Sequence, residues 1–361
     1  MASRISRRSL LAAAAASAAA QEPLERFPRK IRVVLVGLDA HIGEILNPLR
    51  RLPDVELVAV SDPKPEALEA FGRRRGMESV RRYRDHARML EAERPDVAGV
   101  CTPNGERAAA ILECLRRKCH VVAEKPLALT IADLRRIREA LRAAGVRLTM
   151  MLPMRFSSPY LAIKEVCDRG EIGEVCQIAA QKSYKVGRRP AWMRKRESYG
   201  GTIPWIGIHM IDLMRWTSGR EFERAFSWTA HIGFPEIGDM ENVTGTLFRL
   251  DNRGIAVLRM DYLRPETAPT HGDDRLRLAG TKGIVEYQAA TGVTVVSASS
   301  KPRKVEPLPP SRSLFVDFLA SVYLGRRHAL PLEDIFRVNE ITIAAQRAAE
   351  KGRVVSCSSI F

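Results

Sequence analysis

Short apolar runs alternate with amphipathic segments over residues 31–152, and no other feature restricts the fold as strongly. Ile31–Val36, Val55–Val60, Asp96–Cys101, His120–Ala123 and Arg147–Met151 are mostly apolar, with little polar alternation. Between them, His41–Arg51, Pro65–Arg75, Glu106–Arg117 and Ile131–Ala144 place apolar residues at helical spacing. Strands of this kind are buried on both faces, which requires a parallel sheet covered by helices on each side. Right-handed crossovers then make residues 31–152 a doubly wound Rossmann-type domain. Past residue 152 the rhythm changes. Phe226–His231, Val243–Leu250, Gly254–Tyr262 and Asp274–Ala279 follow one another with turn signals such as Asp251-Asn252-Arg253-Gly254. Residues 153–330 therefore read as a C-terminal α/β domain with a large open, mostly antiparallel sheet. Helices Pro159–Arg169 and Gly207–Thr217 back that sheet. Pro302–Pro310 reads as a linker. Residues 311–324 and 332–350 read as helices, so 331–361 forms a C-terminal helix and tail packing back on the fold.

Charge at strand ends carries the chemistry. Val121-Val122-Ala123 runs into Glu124-Lys125-Pro126, a carboxylate and an ammonium where a buried strand stops. Ligands bind at that end of a doubly wound sheet, and proline holds the preceding residue extended. One unit earlier, the strand at Asp96–Cys101 ends on Thr102-Pro103-Asn104. The first strand ends on Val36-Gly37-Leu38-Asp39-Ala40-His41-Ile42-Gly43. A dinucleotide loop needs glycines where the pyrophosphate meets the backbone. Gly37 fits the first position; Asp39 occupies the second, and Gly43 falls one residue late. Asp39 either faces the pyrophosphate or turns away to cap the helix. Asp62, about twenty residues after the first glycine, suits a ribose 2′-hydroxyl and repels a 2′-phosphate. That favours NAD over NADP, although Lys64 leaves room for NADP.

Gly200-Gly201 and then Gly207-Ile208-His209 with Asp212 add a third segment. In this order the three segments resemble the Gfo/Idh/MocA family of NAD(P)-dependent oxidoreductases, over roughly residues 31–350. The resemblance implies hydride transfer to or from a sugar, cyclitol or sugar derivative. It implies Lys125 as electrostatic partner and His209 as acid/base. Cofactor contacts are then expected from Gly37, Asp39, His41, Ile42, Asp62, Thr102, Pro103, Asn104, Glu124, Lys125 and Arg155. Two positions depart from the family. Arg107 stands where a His usually follows the Asn, and Trp205 stands where many members have an Asp four residues before the His. Trp cannot orient an imidazole as a carboxylate does, but its indole could stack on a sugar. Tyr184, Trp192, Trp205, Asp212 and His271 are further substrate-site candidates, with Trp192 in a lid-like basic loop. Two other readings stand beside hydride transfer: glycoside cleavage through a transient NAD redox cycle, and a non-catalytic ligand-binding protein on a decayed Rossmann fold.

The chain of 361 residues carries a formal net charge of +16. Its arginines are scattered along helices and are not interleaved with aromatics, which reads as a solvated basic surface and not as a nucleic-acid face. Residues 1–20 combine Arg7-Arg8, a short apolar core and Ala18-Ala19-Ala20, the pattern of a twin-arginine export signal. Export in folded form places the protein in the periplasm with its nucleotide already loaded. No stretch is long enough to span a bilayer. The six cysteines show no CxxC or His/Cys metal spacing, so no metal is expected. A broad apolar outer sheet face implies a homo-oligomer.

Overall fold

A computed structural model describes residues 25–358; the basic, alanine-rich segment 1–20 lies outside them. The first sheet contains β1 (Ile31–Val36), β2 (Val55–Ser61), β3 (Arg81–Tyr83), β4 (Val97–Val100), β5 (His120–Ala123) and β6 (Leu148–Met150). All six are parallel, in the order β3-β2-β1-β4-β5-β6. The order reverses between β1 and β4, so a crevice opens beyond their carboxyl ends. β4 and β5 are almost wholly buried, as continuous apolar runs demand.

Two elements here carry no sequence signal. β3 is a three-residue edge strand with two exposed arginines, too short and too polar to read as a strand. Helix His86–Glu93 follows it, capped by Asp85, whose carboxylate accepts from Ala87 N and Arg88 N. The helix expected over His41–Arg51 is only Gly43–Leu49. Its lost first turn is loop, with Ala40 at φ 59°.

The second sheet has nine strands: β7 (Val175–Tyr184), β8 (Phe222–Ala230), β9 (Val243–Leu250), β10 (Ile255–Asp261), β11 (Gly272–Gly280), β12 (Gly283–Gln288), β13 (Gly292–Ser297), β14 (Ser300–Lys304) and β15 (Val355–Ser356). Their order is β14-β13-β12-β11-β7-β10-β9-β8-β15. Only β7 and β10 run parallel; every other neighbouring pair is antiparallel. One face buries Phe248, Leu258, Leu276 and Leu278. Helices Ser158–Asp168 and Ile208–Ser218 pack on that side. The linker expected at Pro302–Pro310 begins later, because Pro302 lies in β14. As an edge strand, β14 tolerates a residue with no N–H.

The outer face is less apolar than the sequence implies. Exposed Trp228, Leu247, Ile255 and Val257 alternate in cross-strand register with Arg249 and Arg259. Helix Leu332–Lys351 packs on β8 and reaches β6 of the first sheet. The tail therefore completes a sheet in addition to packing back: β15 pairs with β8.

Gly37 ties the two halves of the crevice together. Its φ is +80°, and a Cβ there would lie 2.8 Å from Thr102 N and 2.9 Å from Cys101 O. A left-handed conformation and a backbone clash act in the same direction. Gly37→Ala is expected to lower the unfolding free energy by about 1–3 kcal/mol, read as a lower urea midpoint. An unchanged midpoint refutes this account of the turn.

Candidate active site

The nucleotide half forms where β1, β2 and β4 end. Asp62 is buried, its Oδ2 accepting from Leu38 N at 3.0 Å and its Oδ1 from Lys64 N at 3.0 Å. Asp39 neither caps a helix nor faces the crevice as a bare anion. Its Oδ2 lies 3.0 Å from Lys64 Nζ, so its charge is compensated. Gly37, Asp39, Asp62, Lys64, Thr102 and Pro103 line a cavity of about 540 Å³. The Thr102 hydroxyl is buried there with no hydrogen-bond partner among the described residues. An orphaned hydroxyl, a glycine without room for a Cβ and a compensated acid fit a dinucleotide.

Of the expected cofactor contacts on the nucleotide-side loops, His41, Ile42 and Asn104 do not line this cavity. Asn104 donates from Nδ2 to Tyr199 O at 2.7 Å and accepts from Arg107 Nη1 at 2.8 Å. Ile42 is buried in the core and lines neither cavity. Arg107, legible in the sequence only as a departure from the family pattern, joins the strand ends. It is fully buried and donates to the carbonyls of Thr102, Lys125 and Pro126 at 2.5, 2.8 and 2.9 Å. Burial lowers its pKa to about 10, leaving it charged at neutral pH.

Beyond β5 lies a second, smaller cavity of about 220 Å³. His41, Glu124, Lys182, Tyr184, His209 and Asp274 line it. Glu124 has no exposed surface. Its Oε2 accepts from His41 N at 3.2 Å and meets His41 Nδ1 at 2.7 Å, while its Oε1 accepts from Lys125 N at 3.0 Å. Burial alone would raise its pKa; Lys125, His41 and Arg107 together hold it far below the usual carboxylate range. Across the cavity, Lys182 Nζ lies 2.9 Å from Asp274 Oδ2, on residues paired in register between β7 and β11. Although burial acts the other way, Tyr184 and Asp274 raise the Lys182 pKa. No sequence signal marks this pair, because β7 itself is not legible and the partner depends on register.

Lys125 does not line this cavity. It is 1% exposed, donates from Nζ to Trp205 O at 2.7 Å, and sits 3.2 Å from the centroid of the Trp205 ring. The π-helical turn Ile203–Gly207 positions that indole. Burial lowers the Lys125 pKa to about 7. Trp205 is therefore no open platform for a sugar: it is buried, covers Lys125 and stacks on His41 at 5.8 Å. Trp192 packs edge-on against Trp205 at 5.4 Å and is buried, so it is part of an aromatic cluster and not a lid. His209 does line the cavity, with Nδ1 buried and unpartnered. Burial, then the charges of Lys125 and Lys182, push its pKa well below the usual value.

Three more candidates fall outside the cavity. Arg155 forms a bidentate pair with Asp212 and reaches Asp334 at 2.8 Å. Both Arg155 and Asp212 are about 1% exposed at the side chain, so they brace the domain junction and line neither of the two cavities. His271 is exposed and stacks behind Tyr184 at 5.1 Å. Breaking one side of a buried pair costs about 3–5 kcal/mol, and Arg155→Met is expected to lose that much in chemical denaturation. A loss under about 1 kcal/mol would show the pair to be dispensable. For Lys125, the unfolded chain holds a proton between pH 7 and 10.5 that the folded chain lacks. Wild-type stability relative to Lys125→Met should therefore rise with pH across that window. A flat difference in urea titrations overturns the depressed value.

Residues 31–152 match the model of an oxidoreductase family with an NAD-binding Rossmann fold, and residues 160–286 match a GFO/IDH/MocA C-terminal domain. A myo-inositol 2-dehydrogenase of Thermotoga maritima is 28% identical over 269 residues, covering 74% of this chain and 78% of that protein. A D-glucoside 3-dehydrogenase of Escherichia coli is 33% identical over 192 residues, covering 52% and 53%. A solved structure from Thermotoga maritima, described as an oxidoreductase, superposes with a TM-score of 0.83 at 32% identity, over 90% of this chain and all of the other. With both domains matched and both cavities at the carboxyl ends of the first sheet, the chain belongs to the Gfo/Idh/MocA family of NAD-binding oxidoreductases.

Proposed function

We propose that this protein transfers hydride between an NAD nicotinamide and a hydroxyl-bearing carbon of a sugar, cyclitol or sugar derivative. The observation that carries this reading is the small polar cavity, which joins the nucleotide loop at His41 to the second sheet at Lys182 and Asp274. A hydroxyl both donates and accepts, and the Lys182–Asp274 pair offers one group of each kind. The relatives named as myo-inositol and glucoside dehydrogenases support polyhydroxylated substrates. When bound, the nicotinamide supplies a two-electron acceptor. The chain's residues do the remaining work. Thr102, Pro103 and Gly37 receive the nucleotide, and Asp62 keeps lone pairs for ribose hydroxyls.

The twin-arginine pattern at residues 1–20 supports export of the folded, nucleotide-loaded protein. The exposed Trp228, Leu247, Ile255 and Val257 support self-association through the second sheet. A bare Asp39 carboxylate beside the pyrophosphate argues for a decayed site, and its pairing with Lys64 removes that argument.

Fluorescence titration tests the cofactor assignment. NADH should bind at least about tenfold more tightly than NADPH, because the Asp62 carboxylate repels a 2′-phosphate, and Asp62→Ser should narrow the gap. Absence of binding by either nucleotide would sink the reading.

A further inference from the structure

Three observations fail to match a family site built on Lys125 and His209. Lys125 is sealed beneath Trp205 and absent from the cavity wall. Trp205 holds the position from which a carboxylate would orient His209. His209 itself has an unpartnered Nδ1, and its burial, then the charges of Lys125 and Lys182, disfavour its taking up a proton. The same cavity nevertheless contains an imidazole–carboxylate pair, on the nucleotide loop.

We propose that His41, held by Glu124, is the proton acceptor in this protein's alcohol oxidation; the proposal rests on the hydride-transfer reading above. Glu124 is ionised and buried, and its Oε2 lies 2.7 Å from His41 Nδ1. In the neutral ring that contact places the proton on Nδ1 and leaves Nε2 with a free lone pair. No described residue bonds to Nε2. Trp205 stacks nearly parallel to the ring, at 23°, and fixes its plane. The ring is half-exposed and shares the cavity with Lys182, His209 and Asp274. Glu44 also faces it, from the start of the helix Gly43–Leu49, while Lys125 lies on the far side of Glu124. An imidazolium formed at His41 has Glu124 as its counter-ion, the arrangement that makes a histidine effective as a general base. In the forward direction the substrate O–H proton passes to Nε2 and the C–H hydrogen leaves with its electron pair as hydride to NAD⁺, so C–O becomes C=O. In the reverse direction the imidazolium returns the proton. His209, kept neutral, is left to hydrogen-bond the substrate oxygen.

Two measurements test this. In ¹⁵N-histidine NMR of the unliganded protein above neutral pH, His41 should show the tautomer protonated at Nδ1. An Nε2-protonated ring overturns the proposal. In turnover with NAD⁺ on a panel of myo-inositol, D-glucose and methyl β-D-glucoside, His41→Gln should lower kcat at least about 100-fold while the NADH dissociation constant stays within about threefold. Added imidazole should restore part of the activity of His41→Ala. A His41→Gln variant that keeps its kcat, or loses NADH affinity in step with activity, overturns the assignment. Failure of the redox reading is distinguishable: the wild-type protein itself then neither binds NADH nor turns over the panel, which overturns both.

Discussion

One buried carboxylate organises this crevice. Glu124 has no exposed surface, and an ionised group in that position is tolerated only with charges and hydrogen bonds around it. Its partners come from different parts of the chain: the His41 backbone and ring from the nucleotide loop, the Lys125 backbone from its own strand end. Arg107 adds a charge from the helix Asn104–Arg116 and gathers the carbonyls of Thr102, Lys125 and Pro126. The loop that receives the nucleotide and the wall that receives the substrate are thus fixed to the same carboxylate.

Trp205 changes what the Glu-Lys-Pro segment can do. With an indole over Nζ and a backbone carbonyl accepting from it, Lys125 is a structural group in this conformation and not part of the cavity wall. The cavity's cationic group is instead Lys182, balanced by Asp274 from the neighbouring strand. Charge near the reacting position has therefore moved from the Rossmann sheet to the second sheet. Trp192 and Tyr199 pack against Trp205 and hold it over Lys125.

What could be read from the sequence follows from how local each signal is. β1, β2, β4 and β5 are legible because burial on both faces leaves mostly apolar runs, broken by Arg32 in β1 and Glu56 in β2. β3 and β7 are not, one being a polar edge and the other lacking a clean period of two. The structure gathers the strand-end motifs around one crevice, since charge beside a buried strand has few structural explanations. Their individual roles are less legible. Asn104, Arg155 and Asp212 stand in motif positions, but their partners Tyr199 and Asp334 lie far along the chain and are invisible to spacing. Lys182 is hidden for the same reason, being defined by register with Asp274.

β7 is the central strand of the nine-stranded sheet, and it is synthesised before every other strand of that sheet. Its two neighbours, β10 and β11, emerge much later, after β8 and β9 have already been made. Nothing local can pair with it in the meantime. On the ribosome the Rossmann unit, complete by Met150, can close while β7 waits unpaired, and contacts of such high sequence separation form slowly. The substrate wall bearing Lys182 is therefore assembled last, onto a nucleotide domain that is already folded.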